Sequence, residues 1–258
     1  MRGLLLSFAL ALWLATGASA QPAPFRDDMA QRTLACTVCH GREGRAGPDG
    51  YYPRIAGKPA GYLYNQLLNF REGRRHYGLM AGLLDTLSDE YLYEMAQHFA
   101  RLDLPYPAPH AAAFPAEVLQ RGRELALQGD AERRIPACAA CHGKTLTGVQ
   151  PNTPGLLGLP RDYLNAQLGA WRTGQRRALP PDCMGEIARR LAPEDLSAVT
   201  AWLASEPLPK DAKPVAAGPV PAKAAPRRKG RTAQPAAAPE PPPMRCGSAQ
   251  PPVAGTGR

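Results

Sequence analysis

Two pentapeptides of one design, Cys36-Thr37-Val38-Cys39-His40 and Cys138-Ala139-Ala140-Cys141-His142, constrain this chain of 258 residues more than anything else in it. A Cys-x-x-Cys-His run is the attachment site of a c-type haem. The two thiols add to the porphyrin's vinyl groups as thioethers, and the histidine becomes the proximal ligand of the iron. Two copies predict two covalently held haem c groups, one through Cys36 and Cys39 and one through Cys138 and Cys141, with His40 and His142 on the irons. Other uses fit less well. A disulfide across a two-residue loop is strained and needs no following histidine. Adjacent Cys and His also make an awkward bite for one tetrahedral zinc.

The sequence around these motifs repeats at a period of about a hundred residues, which is a duplicated domain rather than a solenoid. Pro53-Arg54-Ile55-Ala56-Gly57 matches Pro154-Gly155-Leu156-Leu157-Gly158, and Tyr62-Leu63-x-x-Gln66-Leu67 matches Tyr163-Leu164-x-x-Gln167-Leu168. Phe70-Arg71-x-Gly73 then matches Trp171-Arg172-x-Gly174, Met80 matches Met184, and Leu87 matches Leu191.

Each half reads as helical. Helices are expected over 27–35 and 117–129, leading to the two motifs. Tyr62, Gln66 and Phe70 recur at four-residue spacing on one helix face. Ser88 followed by Asp89 and Glu90, and Pro193 followed by Glu194 and Asp195, open the last helix of each half. The stripes Leu92, Met95, Ala96, Phe99 and Leu196, Val199, Trp202, Leu203 are the expected cores. The fold class is therefore all-α. The predicted divisions are domain 1 over residues 21–104, a proline-rich linker over 105–115 and domain 2 over 116–205.

Each iron needs a second axial ligand. In the second half Met184 is the only methionine before the tail, and His142 is the only histidine after His110. A thioether is a soft ligand that favours ferrous iron, so His142 and Met184 are the expected pair. In the first half Met80, His76, Met95 and His98 compete. The repeat selects Met80, with His76 as the runner-up. Cys183 beside Met184 has three readings: a buried small residue, a disulfide with Cys246, or a thiolate in place of Met184.

Residues 1–20 read as a cleaved export signal, with Arg2, the apolar run Leu4 to Ala15 and the small residues Ala18-Ser19-Ala20. An uncleaved anchor is the rival reading. Residues 205–258 hold 13 prolines and nine Lys/Arg against three Asp/Glu, so residues 206–258 are expected to be a disordered tail. That tail is a spacer or an electrostatic tether to a membrane or a partner. Residues 21–204 carry 21 basic and 19 acidic side chains, and so near-neutral a body gives no support to nucleic-acid binding.

In these motifs the chain resembles the dihaem cytochrome c4 family, two fused class I cytochrome c domains exported to the periplasm. The resemblance covers about residues 30 to 204. It implies that the carbonyls of Pro53 and Pro154 accept hydrogen bonds from the proximal histidine rings. It also implies a carrier, not an enzyme, that passes electrons from a donor complex toward a terminal oxidase. The alternatives are the electron-transfer subunit of a periplasmic dehydrogenase, or an oxidoreductase acting on sulfur compounds or peroxide.

Overall fold

A computed structural model describes residues 26–47, 50–109, 114–217 and 245–252. The expected export signal and the basic run at 227–231 lie outside the described residues. The first half contains α1 (Met29–Arg32), α2 (Leu34–His40), α3 (Ala60–Arg71), α4 (Gly78–Leu84) and α5 (Asp89–Ala100). The second contains α6 (Ala116–Leu127), α7 (Cys138–His142), the short antiparallel pair β1 (Gly148–Val149) and β2 (Thr153–Pro154), α8 (Arg161–Thr173), α9 (Cys183–Arg190) and α10 (Pro193–Ser205). Among the described residues no helix is long and apolar enough to cross a membrane.

Local chemistry sets these boundaries. The Ser88 hydroxyl accepts from the Tyr91 amide and caps α5, whose first turn carries Asp89 and Glu90. Pro193 occupies the first turn of α10, where its missing N–H costs nothing. The helix expected over 27–35 is instead broken at Thr33, whose hydroxyl turns back to the carbonyl of Met29. The chain restarts as α2, so the first Cys-x-x-Cys-His motif ends a seven-residue helix. In the second half a turn closed by Asp130 and Ile135 separates α6 from α7.

Both expected stripes are buried. Leu92, Met95, Ala96 and Phe99 pack with Leu63, Tyr64, Leu68 and Phe70 in one core. Val199, Trp202 and Leu203 pack with Leu125, Leu157 and Leu164 in the other, with Leu196 at its edge. Burying a leucine as completely as Leu92, which is 0% exposed, is worth about 2 kcal/mol. In the second core α6 and α10 cross closely at Gly122, where a Cβ would lie 2.2 Å from the carbonyl oxygen of Ala198.

The repeated residues outside the cores have identifiable work. Arg71 donates to the carbonyl of Leu87, and Arg172 donates to that of Leu191, so each arginine ties its long helix to the turn before the last one. Gln66 and Gln167 meet where the halves join. There Arg75 bridges Arg176 in antiparallel fashion, the His76 amide donates to the carbonyl of Gln175 at 3.0 Å, and that of Arg177 donates to Arg74 at 2.7 Å. Arg75 donates to Gln66 (3.1 Å) and Gln167 (2.6 Å), while Arg176 donates to Gln167 (2.8 Å) and Gln66 (2.9 Å). The joint is a pseudo-symmetric exchange of equivalent side chains.

Part of the expected disordered tail is ordered. Val215 pairs with Val149, its amide donating to Gly148 and its carbonyl accepting from Gln150. Lys213 lies 2.7 Å from Asp103. Farther on, Cys246 forms a disulfide with Cys183. Composition predicts disorder because these segments cannot build a core alone. They are ordered by backbone pairing and a covalent bond to the body. Residues 218–244 lie outside the described residues.

Candidate haem sites

α2 and α7 deliver their histidines to matching places. Nδ1 of His40 lies 2.8 Å from the carbonyl oxygen of Pro53, and Nδ1 of His142 lies 2.7 Å from that of Pro154. A carbonyl only accepts, so each ring carries its proton on Nδ1 and keeps the Nε2 lone pair for a metal. Burial holds both imidazoles below the ordinary histidine range, although the proline carbonyls pull the other way. Each ring is thus neutral and held at a fixed angle, with Nε2 able to bind a metal. A glycine follows each histidine at positive φ, 72° for Gly41 and 84° for Gly143. At Gly41 a Cβ would fall 2.4 Å from the carbonyl oxygen of Ala46, so the turn that brings the chain back toward Pro53 requires glycine.

The four motif cysteines are free thiols. Burial raises the thiols of Cys36 and Cys141 and pushes that of Cys138 up to about 11. Among the described residues no three His, Cys, Asp or Glu side chains converge on a point that could hold a metal ion.

Two further observations fit haem, a large apolar disc with anionic propionates. Leu79 and Leu83, beside Met80 on α4, are 64% and 55% exposed. The Trp171 indole N–H is shielded from solvent with no acceptor among the described residues. Arg176, 4% exposed, stacks 3.8 Å from the Trp171 ring, and burial lowers its pKa. Arg176 and Arg75 find only neutral partners among the described residues. A buried cation such as Arg176 without a counter-ion is costly, and a carboxylate there would answer it, the half-buried Arg75 and the orphan indole. Arg75 and Arg176 lie outside the motifs that mark the haem sites in the sequence. The signal was present, since each stands two residues after its repeated glycine, Gly73 or Gly174.

The sixth-ligand candidates separate by position. Met80 is half-buried on α4, against the same core that Cys36 borders. Met184 is half-buried in the first turn of α9. α4 packs on α3 as α9 packs on α8. Met95 is deep in the first core. His76 is exposed beside the domain joint, and His98 packs edge-on to Phe99 on α5. Cys183 is in a disulfide, which removes the reading in which its thiolate replaces Met184.

Comparison with known proteins places the chain among dihaem cytochromes c. No family model matches the chain. It is 38% identical over 160 residues to a thiosulfate dehydrogenase electron acceptor of Thiomonas intermedia, covering 61% of this chain and 71% of that protein. It is 40% identical to its namesake from Stutzerimonas stutzeri, covering 62% and 73%. Cytochrome c4 of Pseudomonas aeruginosa is 32% identical over 56% of this chain and 70% of its own length. Among solved structures, reduced cytochrome c4 from Pseudomonas stutzeri superposes with a TM-score of 0.58 at 26% identity, covering 69% of this chain and 96% of that one. The thiosulfate dehydrogenase TsdBA of Marichromatium purpuratum gives a TM-score of 0.58 at 34% identity over 67% of this chain. The match spans only 36% of that longer protein.

Proposed function

The chain belongs to the dihaem cytochrome c4 family, an electron carrier with two covalently attached haem c groups, and we propose that it accepts electrons in the periplasm from a thiosulfate-oxidising dehydrogenase. In this reading Cys36 and Cys39 hold one haem and Cys138 and Cys141 the other. His40 and Met80 are the axial ligands of the first iron, and His142 and Met184 those of the second. The haem supplies a one-electron couple. The protein supplies neutral imidazoles aimed by Pro53 and Pro154, apolar walls that exclude water, and cationic and indole donors for the propionates.

The observation that carries the reading is the doubled His–Pro carbonyl contact at the end of a helix bearing two free thiols. The choice of donor is supported by the 38% and 40% identities to thiosulfate dehydrogenase electron acceptors, against 32% to the Pseudomonas aeruginosa cytochrome c4. We extend the reading to a terminal oxidase as the next acceptor; six-coordinate irons would exchange electrons through the haem edge and leave no open position for substrate chemistry.

Ferric protein mixed with thiosulfate and a thiosulfate dehydrogenase should be reduced at both haems within seconds. Thiosulfate alone should leave it oxidised. Failure to reduce with an enzyme active on an artificial acceptor would overturn the choice of donor while leaving the carrier assignment intact.

A further inference from the structure

The segment around Cys246 touches both domains within a few residues. Cys246 is bonded to Cys183, the first residue of the helix that bears Met184, across a sequence separation of 63. The Gly247 amide then donates to the carbonyl of Pro181 at 2.9 Å. A Cβ on Gly247 would lie 2.1 Å from the carbonyl oxygen of Leu179 and 2.4 Å from that of Pro180, so the chain passes where a side chain cannot. Ser248 accepts from Asn152 of the second domain at 3.3 Å. One residue later the Ala249 amide donates to Oδ1 of Asn65, on α3 of the first domain, at 2.8 Å. Asn65 is buried, and its own Nδ2 donates to the carbonyl of Gly61 at 2.7 Å, which fixes Oδ1 as the acceptor. The Ala249 side chain packs on the first core.

We infer that residues 245–250 are an interdomain strap, locked by the Cys183–Cys246 disulfide, that positions the two haem domains for electron exchange with each other. The direct joint consists of three backbone hydrogen bonds (His76 to Gln175, Arg177 to Arg74 and Tyr62 to Pro151), a contact from Lys58 to the carbonyl of Gly155, and a cluster of arginines and glutamines, all of them polar. Joints of that polar kind allow relative domain motion. The strap adds a covalent anchor on one side and a hydrogen-bonded apolar plug on the other. Transfer between two centres in one molecule depends steeply on their separation and pose, so a tether that removes alternative poses raises the rate at fixed potentials. Cys246, Gly247, Ala249 and Asn65 are positioning residues, since none is assigned to a haem. The inference rests on the two-haem carrier reading but not on which methionines ligate the irons.

The test uses full-length holoprotein and two variants, Cys183→Ala/Cys246→Ala and Asn65→Ala. Haem content, both reduction potentials and the sulfur-to-iron bands are measured alongside two direct readouts. These are the interdomain distance distribution by electron spin resonance and the interhaem exchange rate after rapid photoreduction of one centre. The double variant should broaden the distribution and slow exchange several-fold at unchanged potentials, and Asn65→Ala should do so to a smaller degree. If the double variant does not accumulate, Asn65→Ala decides alone, because it leaves the disulfide intact. Distances and exchange rates equal to those of the parent protein would overturn the strap. A lost sulfur-to-iron band without broadening would also overturn it, since the segment would then serve only α9.

Discussion

α4 and α9 occupy matching places in the repeat and carry the matched methionines, yet they are held very differently. α9 is fixed at its start by the Asp182 carboxylate, which accepts from the amides of Gly185 (2.9 Å) and Ala178 (3.0 Å), and by the Cys183–Cys246 disulfide. At its end Arg190 donates to the carbonyl of Arg134. α4 has no side-chain cap at Tyr77, and a Cβ placed on Gly78 or Gly82 would meet nothing within 4 Å. Where the second domain has the disulfide-bonded Cys183, the first has Leu79, one of its most exposed apolar side chains. Duplication has left one methionine-bearing helix loosely held and the other clamped. The clamp bears directly on the position of Met184, and α4 offers Met80 no equivalent.

The largest expected effect breaks the comparison at its premise. Met80→Ala and Met184→Ala should each remove about half of the near-infrared sulfur-to-iron band of the ferric protein and lower the potential of one haem, because thioether ligation favours ferrous iron. An unchanged band in Met80→Ala would transfer the first iron to His76, the exposed histidine near the domain joint, and the two helices would no longer be equivalent.

Much of this was legible in the chain because the repeat is a record of pairwise contacts. Arg71 with Leu87 and Arg172 with Leu191 recur together because each arginine bonds to the carbonyl of the matched leucine. Gln66 and Gln167 recur because each accepts from the arginines at the joint. The stripe Leu92, Met95, Ala96, Phe99 was readable from period alone. The break at Thr33 was not, since it depends on a hydroxyl turning back to Met29, which a hydrophobic pattern does not register. The ordered ends of the tail were illegible for another reason. Cys246 and Val215 are ordered by partners at Cys183 and Val149, and composition reports only what a segment can bury by itself.

A smaller effect sharpens the comparison. Asp182→Ala removes both amide contacts at the start of α9 and should cost about 1 kcal/mol, the usual value of a helix cap. On heating, the half of the sulfur-to-iron band that belongs to the second domain should vanish at a lower temperature than in the parent protein, while the first domain's half keeps its midpoint. A fall of both halves together would show that α9 is not held locally and that the domains melt as one unit.

The smallest effect lies in acid. In the second domain Asp130 sits 2.7 Å from Arg133 and 3.2 Å from Arg121, and Asp195 sits 2.8 Å from Arg121. Hydrogen bonding from Arg133 pulls Asp130 down to about 2. Burial pushes Asp195 upward, but the guanidiniums of Arg121 and Arg133 outweigh it and leave that carboxyl lowered as well. A carboxyl whose pKa is depressed in the folded state stabilises fully above its unfolded value near 3.8 and loses that contribution as pH falls toward about 2. The first domain's nearest analogue links Arg71 to Asp89 and Glu72, and Glu72 to Arg74, but its carboxylates are 50% and 42% exposed, against 18% for Asp130 and 10% for Asp195. The calorimetric transition of the second domain should therefore move down between about pH 4 and pH 2 by more than that of the first. Arg133→Gln should reduce the difference, modestly because exposed pairs are weak. Parallel acid limbs for the two transitions, with or without Arg133, would mean that the network contributes nothing to what separates the domains.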